Sequence, residues 1–248
     1  MTKDQPLVSV IMPCFNSGKT IRNSLNSILS QSYSNYEIII IDDGSCDNTS
    51  NLLKQYTDSR IIFILNKYEK GVAGARRTGI DTAKGEFIAF LDSDDLWYKD
   101  KLTAHINFMQ TRDVNFTYSD YQIFNDKTKK YKLLKTNESY NYTSLLGGCN
   151  IGCLTVVLRR SVQSNFIYED LPKEDYVFWL KILKSGVVAY RVPGVHAAYQ
   201  VGLSSLSSDK LKEVSKQFYT LRQTQKIGFI QSIFYMLRYI LNGMKKTL

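Results

Sequence analysis

The chain has 248 residues, enough for one large domain or two closely packed ones, and enough to bury a core without disulfide or metal staples. Hydrophobic residues make up 44% and charged residues 22%, which excludes a disordered chain and a collagen-like repeat. The net charge is +9, but residues 201–248 carry eight basic side chains against two acidic ones and so supply +6 of it. The body is not a basic nucleic-acid platform, and no nucleic-acid partner is expected.

The first hundred residues alternate strand and helix. An apolar run over 7–12 closes at Pro13; it is too short for the core of a signal peptide and reads as a first strand, so a cytoplasmic location is expected. Ile21, Leu25, Ile28 and Leu29 recur at helical spacing over 20–30. Residues 36–41 include four consecutive isoleucines, the pattern of a parallel strand buried on both faces. A helix over 48–56, a strand over 60–65, a helix over 74–83 and a strand over 86–91 follow. This alternation predicts a three-layer α/β/α sandwich with its ligands at the carboxyl ends of the strands.

Beyond Asp95 the pattern changes. Helices are predicted over 100–111 and 173–184, and strands over 114–118, 153–158 and 187–192. A lysine-rich hairpin or loop is expected over 127–135, and a helical tail from 209 onward with a break near Gly228. Three regions are therefore expected: 1–96 and 97–200 as two halves of one domain, and 201–248 as a basic amphipathic tail. The four cysteines are scattered and read as reduced thiols rather than as a zinc site.

Two acidic clusters follow predicted strands. Asp42-Asp43-Gly44-Ser45 ends the isoleucine strand, and Asp92-Ser93-Asp94-Asp95 ends the strand over 86–91. One acidic turn alone is commonly a solvated helix cap. Two at successive strand ends favour ligand binding, with Mg²⁺ or Mn²⁺ held by carboxylates and substrate phosphates. Arg76 and Arg77 open a helix after Gly71-Val72-Ala73-Gly74, where they either neutralise phosphates or lie on a solvated face. Neither a Rossmann fingerprint nor a Walker loop is present.

The segments Val8-Ser9-Val10-Ile11-Met12-Pro13-Cys14-Phe15-Asn16, Ile41-Asp42-Asp43-Gly44-Ser45-Cys46-Asp47, Gly74-Ala75-Arg76-Arg77-Thr78-Gly79 and Gly85 through Asp95 together resemble glycosyltransferase family 2. So does Glu174-Asp175-Tyr176-Val177-Phe178-Trp179-Leu180 farther on. The resemblance implies an inverting GT-A fold enzyme similar to bacterial O-antigen and capsule sugar transferases. By it, Pro13, Phe15 and Asp43 form the nucleobase pocket, and Arg76, Asp92 and Ser93 lie along the nucleotide-sugar. Asp94 binds Mn²⁺ or Mg²⁺, and Asp175 deprotonates the acceptor hydroxyl, its pKa raised beside Tyr176 and Trp179. His196 either completes the metal site or is an ordinary packed histidine, and His105 reads as structural. Where the family often has Ala-Arg-Asn this chain has Arg76-Arg77-Thr78, which leaves the first arginine intact, and Tyr199-Gln200 stands where similar transferases carry Tyr-Arg. The Gln-x-x-Arg-Trp signature of processive synthases is absent, which implies one sugar per acceptor.

The implied partners are a UDP-sugar (glucose, galactose or N-acetylhexosamine) and a lipid-linked saccharide. Ile227, Ile230, Ile233, Phe234, Leu237, Ile240 and Leu241 fall at helical spacing among basic residues. That stripe either lies on an anionic membrane surface or packs on the domain or a partner chain. The stretch is too short and too polar to span a bilayer, so a peripheral position at the inner membrane face is expected. Two rival functions are weighed. A nucleotidylyltransferase would need a basic Gly-rich loop where Pro13-Cys14-Phe15-Asn16 stands, and a non-catalytic sugar-nucleotide scaffold would not need intact acidic sets.

Overall fold

The computed structural model describes residues 5–125, 128–201 and 210–247. Lys127 of the lysine run and Asp209 at the expected start of the tail lie outside the described residues. The strands are β1 (Val8–Cys14), β2 (Tyr36–Asp42), β3 (Ile61–Leu65), β4 (Phe87–Phe90), β5 (Leu96–Trp97), β6 (Phe116–Asn125), β7 (Lys130–Leu134), β8 (Ser139–Tyr140), β9 (Val157–Arg159) and β10 (Ala189–Val201). The helices are α1 (Ile21–Leu29), α2 (Thr49–Leu53), α3 (Val72–Thr82), α4 (Lys101–Arg112), α5 (Tyr142–Leu145), α6 (Arg160–Gln163), α7 (Glu174–Lys184), α8 (Lys210–Tyr219) and α9 (Phe229–Thr247).

All ten strands join one mixed sheet in the order β3-β2-β1-β4-β9-β6-β10-β5, with β7 on β6 and β8 on β10. The β3-β2-β1-β4 half is parallel, as strand–helix alternation requires. β9 then enters antiparallel between β4 and β6, so the sheet runs unbroken from one half of the chain into the other.

The four isoleucines of β2 divide between two cores. Ile39 and Ile41 face α3 and α7, while Ile38 and Ile40 face α1 and α4. Successive side chains of a strand point to opposite faces, so this division gives the three layers directly. Helix α3 lies close on the sheet because it presents Gly79. A Cβ there would meet Ile11 Cγ2 at 2.6 Å and Ile41 Cδ1 at 2.8 Å.

The predicted elements are present with two instructive differences. The segment 153–158 splits into a 3-10 turn at Cys153–Thr155 and the short strand β9. β10 runs nine residues past Val192, through Pro193 and Gly194. Register shifts between Val192 and Ala197 absorb those two residues as bulges, the setting in which a sheet tolerates proline.

The tail folds as α8, a π-helical segment at Thr220–Thr224, and α9. α9 packs on the body through Tyr235 and Met236, and Asn242 donates to the Gly147 carbonyl at 3.2 Å. Its apolar stripe faces the other way, with Ile230 83% and Leu237 57% exposed. Of the stripe, only Ile227 packs against the core among the described residues, and the rest is left uncovered by the domain. Among the described residues, no helix is long and apolar enough to cross a membrane.

Candidate active site

The site lies where β1, β2 and β4 end. Beside β2, Asp42 is buried and fully engaged: it accepts hydrogen bonds from Ser45 N at 2.9 Å and Ser50 Oγ at 2.8 Å. This carboxylate holds the turn. Asp43 faces a cleft of about 310 Å³ that Gly44, Asn66, Tyr68 and Lys70 also line. Its oxygens accept from Asn66 Nδ2 at 2.7 Å and Gly71 N at 2.8 Å. Thr78 Oγ1 donates to Asn66 Oδ1 at 2.9 Å, so Thr78 holds the residue that holds Asp43. Phe15 is exposed at the end of β1, with Lys70 Nζ 4.3 Å from its ring centroid. Pro13 is buried within β1 and does not line this cleft.

The second acidic cluster is organised by a buried cation. Arg76, 3% exposed on α3, grips Asp92 with Nη2 at 2.7 and 3.0 Å, and donates through Nη1 to Glu174 Oε1 at 3.1 Å and Tyr168 Oη at 3.0 Å. α3 and α7 share one face of the sheet, which is why an arginine of the first half meets the acids of the second. The expectation of a phosphate-contacting Arg76 changes accordingly. Protein carboxylates take up its guanidinium, and it joins the end of β4 to the start of α7. Ser93 is buried, with its hydroxyl 2.7 Å from Ser17 Oγ, tying this turn to the β1–α1 loop.

Asp175 stands in the first turn of α7 on the wall of a cavity of about 240 Å³. Arg76, Asp92, Asp95 and Glu174 form the charged side, and Tyr121, Cys153, Leu154 and Tyr199 the less polar one. Burial, then the charge of Glu174, push the Asp175 carboxyl up to about 6, against the opposing pull of Arg76. A helix N-terminus alone would lower it. The less polar wall comes from β6, β10 and the 3-10 turn rather than from the expected Tyr176 and Trp179. The Tyr176 hydroxyl donates to the Leu145 carbonyl at 3.0 Å, and Trp179 packs in the aromatic core against Phe90 and Phe116.

Asp95, 1% exposed, also lines this cavity and was not singled out from sequence. Burial, then Asp92, raise its carboxyl well above the ordinary range, and Gln200 N donates to it at 3.0 Å. Partial shielding from water, and then Asp92, raise Asp94 as well. Its side chain is exposed. Among the described residues no three His, Cys, Asp or Glu converge on a preformed metal centre. Mg²⁺ and Mn²⁺ sites on nucleotides need only one or two carboxylates, with phosphate oxygens and water completing the shell. An exposed Asp94 beside a repelling Asp92 fits such a shared site. His196 turns elsewhere: its Nε2 lies 3.0 Å from the Pro193 carbonyl and its ring meets that of buried His105. It drops out as a metal ligand.

A mixed sheet with a parallel half, acids at its strand ends and a carboxylate on a flanking helix is the architecture of GT-A type transferases. The solved mannosyltransferase PcManGT of Pyrobaculum calidifontis, in complex with GDP-Man and Mn²⁺, shares it: TM-score 0.72, 18% identity, 94% of this chain and 70% of that one covered. The family model for glycosyl transferase family 2 matches residues 9–166. This chain belongs to that family and is a glycosyltransferase. Two Escherichia coli relatives, the UDP-Glc:alpha-D-GlcNAc-diphosphoundecaprenol beta-1,3-glucosyltransferases WfgD and WfaP, are each 41% identical to it. The matches cover 98% and 97% of this chain and 96% and 95% of theirs. Nothing supports nucleotidylyl transfer or a non-catalytic scaffold.

Proposed function

We propose that this enzyme moves one glucosyl group from UDP-glucose to a sugar carried on a polyprenyl diphosphate, with inversion, during O-antigen or capsule assembly. Asp175 carries the reading. It is a carboxylate raised to about 6, set in a cavity beside the strand-end acids. A base there takes the proton of the acceptor hydroxyl as the oxygen attacks the anomeric carbon, a contribution of roughly 10² to 10⁴ in rate. One displacement on an α-linked donor gives a β-glycoside. The Asp43 cleft, with Phe15 at its edge, takes the nucleobase, and the Asp92–Asp94 turn lies along the diphosphate. Asp94 and diphosphate oxygens would hold Mn²⁺ or Mg²⁺, and the bound cation supplies charge neutralisation for the leaving group, worth several kcal/mol.

In this reading residues 1–96 hold the donor, 97–200 the acceptor, and 201–248 dock the enzyme peripherally on the cytoplasmic membrane face. The outward face of α9 supports the last assignment: Ile233, Phe234 and Leu237 are exposed, and basic Lys226 precedes the helix. The test incubates the enzyme with UDP-glucose, Mn²⁺ and an α-N-acetylglucosaminyl diphosphate lipid. A β-glucosylated product that disappears with chelator is expected. Asp94→Ala and Asp175→Asn should each cost at least about 10² in turnover, with UDP affinity retained in Asp175→Asn. Undiminished turnover in both variants sinks the site assignment. For the tail, Ile233→Ser, Phe234→Ser and Leu237→Ser combined should abolish partition onto phosphatidylglycerol vesicles while leaving the protein folded. Undiminished partition would remove the membrane role.

A further inference from the structure

A second and larger cavity, about 720 Å³, opens between the β6–β7 hairpin, the Gly148–Asn150 stretch and α9. Its polar lining comes from Lys132, Lys135 and Arg238 with Asn137, Ser144, Asn150 and Asn242, and among the described residues no carboxylate lines it. Tyr140, 3% exposed, forms part of its inner wall beside Asn137 and Asn150. Here the lysine-rich run, which the donor and base assignments leave unused, is brought against the basic tail. A cavity with cationic walls and amide groups suits an anion with many oxygens.

Its position selects which anion. Tyr121 lines the catalytic cavity and Ile123 lines this one. Both lie on β6 two residues apart, so they share a face of the sheet at a spacing of about 7 Å. Asn150 and Gly152 repeat the relation in the adjoining loop. The two cavities are therefore neighbours on one face, separated by about the length of a pyranose ring. On the outer side, Arg238 sits on α9 one turn from exposed Phe234 and Leu241.

We infer that this cavity binds the diphosphate of the lipid-linked acceptor, with Lys135 and Arg238 as its principal contacts. The sugar ring extends from there toward Asp175, and the hydrocarbon chain leaves along the exposed face of α9. This inference rests on the lipid-diphosphate acceptor proposed above and adds a site for the group that distinguishes that acceptor from a simple glycoside.

The test compares two synthetic acceptors with UDP-glucose as donor: α-N-acetylglucosaminyl diphosphate bearing an undecyl chain, and the undecyl α-glycoside of the same sugar without phosphate. Lys135→Ala and Arg238→Ala are each expected to raise KM for the diphosphate acceptor about tenfold, the usual worth of one charge-assisted contact. KM for the glycoside should move less than about twofold, and donor KM and the unfolding midpoint should hold. Lys135→Arg, which keeps the charge, should restore most of the loss. Equal effects on both acceptors, or none on a diphosphate acceptor that the unmodified enzyme uses well, would overturn the site and leave the acceptor reading standing. If the unmodified enzyme favours neither acceptor, the acceptor reading fails and this site with it. Variants that lose phosphatidylglycerol vesicle binding but keep their acceptor KM would assign these charges to the bilayer and overturn the inference.

Discussion

At the end of β2, Asp42 and Asp43 are met by neutral donors: two from their own turn for Asp42, an asparagine amide and a backbone N–H for Asp43. At the end of β4, Asp92 is met by a buried arginine and Asp95 by one backbone N–H, and after burial the nearby acids raise the carboxyls of Asp94 and Asp95 further. Neutral donors fix a carboxylate in place and add no charge to its surroundings. A buried cation among desolvated acids stores charge that an incoming cation, proton or substrate can redistribute. The first turn is built to hold a shape, and the second is built to change its charge.

Removing the cation gives the largest expected effect. Arg76→Gln leaves Asp92 and Glu174, 33% and 24% exposed, without their shared buried cation. The loss should be about 2–4 kcal/mol, the roughly 3–5 kcal/mol of a fully buried pair being discounted for their contact with water. Asn66→Ala at the other turn removes one neutral donor from Asp43 and should cost only about 1 kcal/mol. Urea unfolding of the two variants measures the contrast. Similar losses would mean that the arginine is no more than another hydrogen-bond donor.

The next effect differs in sign between the turns. Asp42→Ala strands the Ser45 N–H and the Ser50 hydroxyl and should cost about 1–3 kcal/mol at neutral pH. Asp95 has a folded-state pKa well above its unfolded value, so the folded chain binds more protons and stability falls as pH rises from about 4 toward the folded pKa. Asp95→Asn keeps an oxygen for Gln200 N and removes that cost. In metal-free protein it should raise Tm at pH 7 and give no gain near pH 4. A loss at pH 7 would show that the Asp95 charge is compensated in the folded protein.

The contrast between the turns was only half legible in the sequence. The isoleucine run and the acids at strand ends are local signals, and they placed β2, β4 and the cleft correctly. Nothing local marks Asn66 as the partner of Asp43, because that contact needs the parallel pairing of β2 with β3. Arg76 reads from the sequence as either neutralising phosphates or lying on a solvated face, because a helix-start arginine near acids looks the same whether it faces solvent or the interior. Its burial depends on α7 packing beside α3, about a hundred residues later in the chain. Tyr199 reaches the cavity only because β10 continues past Pro193-Gly194, which a reading of strand breakers ends at Val192. The cationic cavity was hidden for the same reason: its lysines and Arg238 lie about a hundred residues apart.

The smallest effect tests whether the charge stored at the second turn reaches the base. Burial raises Asp175 first, Glu174 raises it next, and Arg76 opposes both. As a base, Asp175 works in its ionised form, so kcat/KM should rise with pH through an apparent pKa of about 6 and level off above it. Glu174→Gln removes the like charge while keeping an oxygen for Arg76 Nη1, and the limb should move to lower pH. The variant should then outperform the unmodified enzyme several-fold near pH 5, and fall slightly below it near pH 8 because a less basic carboxylate takes the proton less readily. Crossing pH profiles of this kind place the Glu174 charge in control of the base. A limb that does not move would mean that some other group titrates, and Asp175 would lose its claim to the acceptor proton.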